Sequence, residues 1–372
     1  MKTVAINLIS FSSDHQVGTL VFTKRLMKEW LNTFSPNYNI IIYIQSHLSP
    51  EVFNIPNLQN ITIIKVPKFK NSIHRIFFEQ TIFYKYIKKS DIFFSPSLSM
   101  PLFVQSYKIV TFHDMIPYIN KKKYGFIRNA YVKLFSYLYA KYSNKIITVS
   151  ENSKNDIIRF LKCDNSKIDI VYNFISRNEI ISNEHISRIR THTDIDLSTP
   201  YFLTVCTLQP GKNIERLIDA FSIFNKDYPT HKLFIVGGYG WGYETILKKI
   251  KESSSSHNIV LLGYRDDAQL QMLYKYCIGV VYVSLYEGFG IPPLEGFMFN
   301  KLCVASNNSS LPEVVGEAGI LVDPLDINDI ARGLKNIMSS NNLLINIPKQ
   351  LSKFDPTEQA KKFDNIIKKS LS

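Results

Sequence analysis

The sequence predicts an α/β fold of two Rossmann-like, doubly wound parallel-sheet domains facing a cleft. Three observations predict it. Short β-branched runs alternate with helical stretches along the whole chain, the pattern of parallel βαβ units. The alternation breaks once, in a polar stretch over about 176–199 whose second half shows no clear apolar period, and then starts again. At 372 residues the chain also exceeds what one hydrophobic core serves. The first domain is placed at 1–185 and the second at 195–354. A basic amphipathic helix, 357–367 within the segment 355–372, is expected to pack back on the first.

In the first half, strands are expected over 4–9, 40–44, 61–66, 91–94, 108–112, 145–149 and 168–172. Each is a short apolar, β-branched run closed by polar or turn residues. Helices are expected over 20–31, 77–87 and 127–142, and another, opened by the cap-forming residues of 150–156, runs to 161. The polar loop 12–19 lies between the first strand and first helix. Its Gly18 would let a phosphate approach the backbone. His113 and Asp114 stand at the carboxyl end of the fifth strand, where ligands bind in open α/β sheets.

The second half repeats the cycle. Strands are expected over 201–206, 233–236, 259–262, 279–284 and 302–305. A helix over 214–224 shows Ile214, Leu217, Ile218, Phe221 and Phe224 on one face. Lys212 sits just before it, where a phosphate would gain a point charge and the helix dipole together. Gly237 and Gly238 close one strand, Gly263 and Tyr264 another, and Asp267 is expected to cap the next helix. Glu287 to Glu295 then reads as a glycine turn and a helix start. Two carboxylates stand eight residues apart, with Gly288, Phe289, Gly290 and Ile291 between them before Pro292 and Pro293. Prolines fit the first helical turn, where a missing N–H costs little. Glu295 is expected on that first turn. A turn of this kind aims backbone N–H groups at an anionic or hydroxyl-rich ligand.

Composition narrows the function. With 45% apolar and 20% charged residues, the chain is an ordinary globular one. Cys163, Cys206, Cys277 and Cys303 are scattered, without metal-ligand, redox or disulfide spacing, which suits a reducing cytoplasm. The opening residues 1–9 are too short for a secretory signal. No stretch nears the roughly 18–20 apolar residues of a bilayer span. Charge is uneven: residues 1–190 carry 26 Lys and Arg against 12 Asp and Glu, whereas 191–372 carry 18 against 19. A basic first half suits an anionic partner. Lys121, Lys122, Lys123 and Tyr124, followed by Phe135, Tyr137 and Tyr139, interleave bases with aromatics as at a membrane surface. No nucleic-acid module is visible.

The double glutamate Glu287–Glu295 occurs with Lys212-Asn213, Gly237-Gly238, Gly263-Tyr264 and Leu311-Pro312-Glu313-Val314, and with Gly319 and Asp323 in register. In this combination the chain resembles the retaining glycosyltransferases of family 4, of GT-B architecture. It is similar in outline to bacterial surface-polysaccharide mannosyltransferases. The resemblance is clear over about 105–335 and weaker before it, resting there on His113-Asp114 and Val149-Ser150-Glu151.

It implies a nucleotide-sugar donor in the second half. Glu295 would hold the ribose hydroxyls, Lys212 the diphosphate, and Gly288, Phe289, Gly290 and Ile291 the sugar, with Glu287 beside it. Gly237 and Tyr264 would line the nucleotide. His113 would contact the sugar from the first half, and Gly18 the phosphates. His113, Glu287 and Lys212 would carry the chemistry.

It further implies no cofactor and no metal, and no aspartate-x-aspartate motif is present. GDP-mannose is favoured as donor, with a UDP-hexose or dTDP-deoxysugar as the alternative. The acceptor would be a glycan on a lipid diphosphate, and the enzyme cytoplasmic or peripheral on the inner face of the membrane. A sugar-nucleotide epimerase of the same architecture and a silent assembly scaffold stay open. One departure stands out: the loop before Lys212 lacks the arginine usual in the family, so either Arg265 or a first-half lysine would supply the second cation or stabilisation of the leaving group would be weaker.

Overall fold

A computed structural model describes residues 1–11, 18–119, 126–176, 179–193 and 195–371. The loop 12–17 and the basic run 121–124 lie outside the described residues. The chain divides into two compact units, Met1–Phe174 with Asp355–Ser372, and Ile175–Phe354.

The first unit holds a seven-stranded sheet. Its strands are β1 (Lys2–Asn7), β2 (Tyr38–Gln45), β3 (Ile61–Val66), β4 (Ile92–Ser95), β5 (Tyr107–Phe112), β6 (Lys145–Thr148) and β7 (Ile168–Ile170). The order is β3-β2-β1-β4-β5-β6-β7, with every pair parallel. Strands covered on both faces must be apolar throughout, and Val4, Ala5 and Ile6 of β1 are wholly buried. Strand order reverses between β1 and β4, which makes their carboxyl ends the ligand-prone edge of this sheet.

The helix expected over 77–87 lies instead at Ser72–Thr81, followed by a single 3₁₀ turn, Phe83–Lys85. The Asn71 side chain accepts the His74 N–H and starts the helix early. Phe83 turns into the core at 0% exposure and ends it. The inner side of this helix carries a buried polar cluster. Glu79 accepts from Asn7 Nδ2 at 3.0 Å and Ser99 Oγ at 2.7 Å, with Arg75 Nη1 3.5 Å away. Arg75 also bonds Ser99 Oγ. Burial pushes the Glu79 carboxyl up, against the pull of Arg75, Ser99 and Asn7. The cluster ties the helix to the ends of β1 and β4.

Helix Pro356–Lys369 returns to the first unit and packs on helix Gly18–Phe34. Asp364, fully buried, is its anchor. Its Oδ1 accepts from Trp30 Nε1 at 3.1 Å and Tyr38 OH at 2.9 Å, while Lys368 Nζ lies 2.7 Å from Oδ2.

The second unit holds six parallel strands: β8 (Tyr201–Val205), β9 (Lys232–Val236), β10 (Ile259–Gly263), β11 (Gly279–Tyr282), β12 (Cys303–Ser306) and β13 (Gly319–Val322). The order is β10-β9-β8-β11-β12-β13, so the reversal falls between β8 and β11. Helix Ile214–Asp227 buries the five apolar residues of its predicted face. Asp266, not Asp267, caps the helix Asp267–Tyr276, accepting from Gln269 N at 2.8 Å. Edge strand β13 is an addition to the expected set. It is four residues long and leaves Leu321 37% exposed, too short and open for a period to show. Among the described residues, no helix is long and apolar enough to cross a membrane.

Asp364→Ala strands two buried donors, the Trp30 indole and the Tyr38 hydroxyl. It is expected to cost about 2–4 kcal/mol, read as a lower urea midpoint. An unchanged midpoint would show that the C-terminal helix is not anchored there.

Candidate active site

The predicted residues fall in both units. In the second, parallel pairing of β11 with β8 sets Gly279 beside Phe202 and Val280 beside Leu203. The two carboxyl ends therefore open together, and the segments leaving them meet. Lys212, from the short turn Pro210–Lys212 after β8, reaches Glu287 after β11. Nζ is 2.5 Å from Oε1, although the residues are 75 apart in sequence. Nζ also donates to the Tyr282 hydroxyl at 2.9 Å. The Lys212 and Glu287 side chains are only 16% and 11% exposed. Burial works against the Lys212 charge, but Glu287 and Tyr282 together outweigh it and hold the ammonium above its usual range. Burial also raises the Tyr282 hydroxyl, with Glu287 adding to it. An ammonium has three N–H bonds, and these two acceptors take two of them.

The turn that carries Lys212 is set by Asn213. Asn213 adopts a left-handed backbone at φ 59°, and its amide donates to Val283 O at 3.0 Å and Pro324 O at 2.7 Å. Helix Ile214–Asp227 begins at once afterwards, so its amino end lies beside the ammonium.

The loop from Glu287 to Gly290 is stapled from the far side. Glu287 N donates to Ser309 Oγ at 3.1 Å, and Ser310 Oγ donates to the carbonyls of Glu287 and Phe289 at 3.1 and 2.6 Å. Gly290 has φ +107°, and a Cβ there would lie 2.6 Å from Leu311 Cδ2. This contact gives the Leu311-Pro312 motif a physical meaning: its leucine closes over the glycine turn. Helix Ile291–Met298 follows with prolines in its first turn. Glu295 is its fifth residue, so it sits on the second turn and not the first, because the helix starts at Ile291. Tyr274 donates its hydroxyl to Glu295 Oε2 at 2.7 Å. Burial, then Glu295, holds that hydroxyl well above its usual range.

Gly237 is required by close approach. At φ +144° its Cβ would come 1.9 Å from Cys206 O. Its N–H donates to Gly263 O at 2.8 Å, joining the ends of β9 and β10. Tyr264, next along, is 67% exposed. Phe289 is 4% exposed and packs edge-on against Phe354, so its side chain belongs to the core. Ile291 is half-buried. Arg265 Nε is buried with no hydrogen-bond partner among the described residues. Burial pushes the Cys206 thiol up to about 12, which keeps it unreactive.

In the first unit, His113 follows β5. Its Nε2 bonds Pro96 O at 2.8 Å, and its ring stands edge-on to Phe22 at 5.1 Å. Burial lowers its pKa to about 4, so the imidazole is neutral at pH 7. A carbonyl can only accept, so Nε2 carries the proton and Nδ1 is left as an acceptor. Gly18 opens the helix that carries Phe22, and a Cβ there would meet no atom of the described residues within 4 Å. Phe135 and Tyr139 of helix Phe126–Tyr142 pack into the core, whereas Tyr137 is 49% exposed.

Sequence reasoning missed Tyr282, Tyr274, Ser309 and Ser310. Tyr282 was legible in principle, as a hydroxyl at the end of the strand that precedes the glutamate loop. The others approach from distant elements. No group of three His, Cys, Asp or Glu is placed to hold a metal ion among the described residues.

Comparison with known proteins gives a consistent result. Residues 186–354 match the glycosyl transferases group 1 model, and 22–179 match the Glycosyltransferase Family 4 model. An O-antigen chain mannosyltransferase B of Escherichia coli is 29% identical over 245 residues, 65% of this chain and 64% of that protein. The chain thus spans under two thirds of that relative. Among solved structures, sucrose-phosphate synthase from Thermosynechococcus elongatus superposes with a TM-score of 0.78 at 14% identity, covering 99% of both chains. HepE of Anabaena, in complex with UDP and glucose, superposes at 0.75 with 16% identity, covering 99% of this chain and 100% of that one.

The His113 shift has a sign. Burial lowers the pKa from 6.5 to about 4, so as pH falls the unfolded chain takes up this proton before the folded one does. Its contribution to stability is whole above pH 6.5 and is lost as pH falls towards 4. Urea midpoints across that window should fall more steeply for the native chain than for His113→Asn. Parallel curves would refute the burial of a neutral ring.

Proposed function

The chain belongs to the family 4, group 1 glycosyltransferases, with the two-unit GT-B fold, and on that premise we propose that it transfers a hexose from a nucleotide diphosphate sugar to a hydroxyl of a growing, lipid-linked surface glycan. The observation that carries this reading is Lys212, a buried ammonium kept charged at the carboxyl ends of β8 and β11.

The difficult moment in such a transfer is departure of the diphosphate, which gains negative charge as the anomeric bond breaks. A charge already fixed there stabilises the transition state more than the ground state. The third N–H of Lys212, with the amino end of helix Ile214–Asp227, would meet the phosphate. Glu287 and Tyr282 hold the ammonium in place and in its charged form. Glu287 also stands beside the Gly288–Gly290 turn, whose backbone would hold the sugar. Glu295, steadied by Tyr274, would accept from the ribose hydroxyls. Tyr264 and Gly237 would border the base.

The stereochemical course we propose is retention. The bond from the anomeric carbon to the phosphate oxygen breaks, and its electron pair leaves with the phosphate. The acceptor oxygen bonds the same face of the sugar, and its proton passes to the leaving phosphate. Neutral His113 would accept a sugar hydroxyl through Nδ1. In this reading protein cations neutralise the leaving group without a metal or other cofactor, and Arg265 is the candidate for the second charge.

GDP-mannose is the favoured donor, since a 29%-identical relative is named an O-antigen chain mannosyltransferase. A UDP-hexose is the second reading, because HepE, of the same fold, was solved with UDP and glucose. The acceptor would be membrane-borne, and the enzyme peripheral on an anionic inner membrane face that the basic first half meets.

Thermal unfolding with GDP, UDP and dTDP sugars tests the donor site. A donor at 100 times its Kd should stabilise by about 2.7 kcal/mol, and Glu295→Ala should abolish that shift. If no nucleotide moves the melting point, the donor site is misassigned. For turnover, Lys212→Ala is expected to lower kcat by about 10²–10³, the usual cost of a lost transition-state donor. A change confined to KM would mean that Lys212 binds substrate and transition state alike.

A further inference from the structure

We propose that the outer face of helix Ser72–Thr81, with the adjacent loop at Phe103, is a docking surface for an anionic lipid bilayer. The inference deepens the peripheral placement proposed above, rests on it, and assigns it to a surface other than the 121–142 segment. Ile73 and Phe77 are one helical turn apart and 75% and 63% exposed. Gln80 continues the row. Its side chain donates to Met100 O at 2.9 Å and accepts from Leu102 N at 3.1 Å, which brings Phe103, 87% exposed, alongside. Tyr84 is 66% exposed just beyond.

Large apolar side chains exposed together mark an interaction surface. The charge around them says of what kind. Lys65, Lys68, Lys70, Lys85, Lys88 and Lys89 are all exposed, and over 65–90 the sole acidic residue is Glu79, which is buried and paired with Arg75. A protein partner would have to present a matching acid to each scattered lysine. Lipid phosphates do so without fixed geometry, and aromatic and aliphatic tips enter the acyl boundary between them. The inner side of the helix is already fixed by Glu79, Arg75 and buried Phe78. Insertion of its outer side therefore requires no refolding. The same anchor joins the surface to the carboxyl ends of β1 and β4, the edge on which a lipid-borne acceptor would be offered.

The test is sedimentation of the full chain with vesicles of phosphatidylcholine, alone or with about a third phosphatidylglycerol. The native chain should bind only the mixed vesicles, less so at high salt. Ile73→Ser with Phe77→Ser and Phe103→Ser should weaken binding by about ten-fold or more, with an unchanged melting temperature. Lys68→Gln, Lys70→Gln, Lys85→Gln, Lys88→Gln and Lys89→Gln together should weaken it likewise, which keeps the test valid if the first variant fails to fold. Leu134→Ser with Tyr137→Ser, on helix Phe126–Tyr142, should bind as the native chain does.

If the first two variants bind normally, this surface is wrong. If only the Leu134/Tyr137 variant loses binding, the peripheral placement survives and this surface falls. If the native chain binds neither vesicle, both fall. Loss of self-association in the triple variant, with vesicle binding retained, would make the face a contact between copies and also overturn the proposal.

Discussion

Lys212 and Glu287 meet because β8 and β11 are neighbours in a parallel sheet whose strand order reverses between them. A connection that reverses direction across the sheet leaves two carboxyl ends side by side with no helix above them. Any side chains just beyond those ends share one small volume. A lone ammonium there would be costly to bury. Glu287 removes that cost, Tyr282 takes a second N–H, and Asn213 fixes the turn from which Lys212 projects. The loop Glu287–Gly290 must then be held as firmly as the lysine. Ser309 and Ser310 do this through its backbone, and Leu311 seals the glycine turn. The ion pair thus depends on strand order and on three separate loops.

The first unit repeats the plan with different chemistry. Its strand order reverses between β1 and β4, and the group buried beside that edge is a carboxylate, Glu79, with Arg75, Ser99 and Asn7 around it. Arg75 and Glu79 are one turn apart on a single helix, so this pair fixes a helix and not a loop. His113 nearby is kept neutral by burial and oriented by Pro96 O. One unit therefore presents a permanent cation and the other an uncharged ring.

Much of this was legible in the sequence. The strands that became β1–β12 announce themselves as β-branched runs, since burial on both faces of a parallel sheet demands it. Lys212, Glu287, Gly237 and Gly290 stood out because spacing and glycine carry local geometry. Three things were not legible, for physical reasons. Helix Ser72–Thr81 starts at a capping Asn71 whose effect is weaker in sequence than the aromatic run after it. Strand β13 exists through pairing with β12 and not through its own pattern. Tyr274 reaches Glu295 from a helix 21 residues away, and no local rule foretells such a meeting. Phe289 misleads in the opposite direction: it lies in the motif, yet its ring fills the core against Phe354.

The two glutamates of the motif, alike in sequence, end in different surroundings. Glu287 is bound to a cation, so its charge is spent within the protein and its removal would release Lys212 as well as any ligand it touches. Glu295 accepts from the Tyr274 phenol, which orients its carboxylate on the helix. A carboxylate paired with an ammonium, as Glu287 is, serves chiefly to place and charge its partner. The eight-residue spacing is what allows both. The glycine turn spends the first three residues on reversing the chain, and the helix then carries Glu295 round to Tyr274. Shortening the spacing by one residue would rotate Glu295 by about 100° on its helix and part it from the phenol, while leaving the Lys212 pair intact.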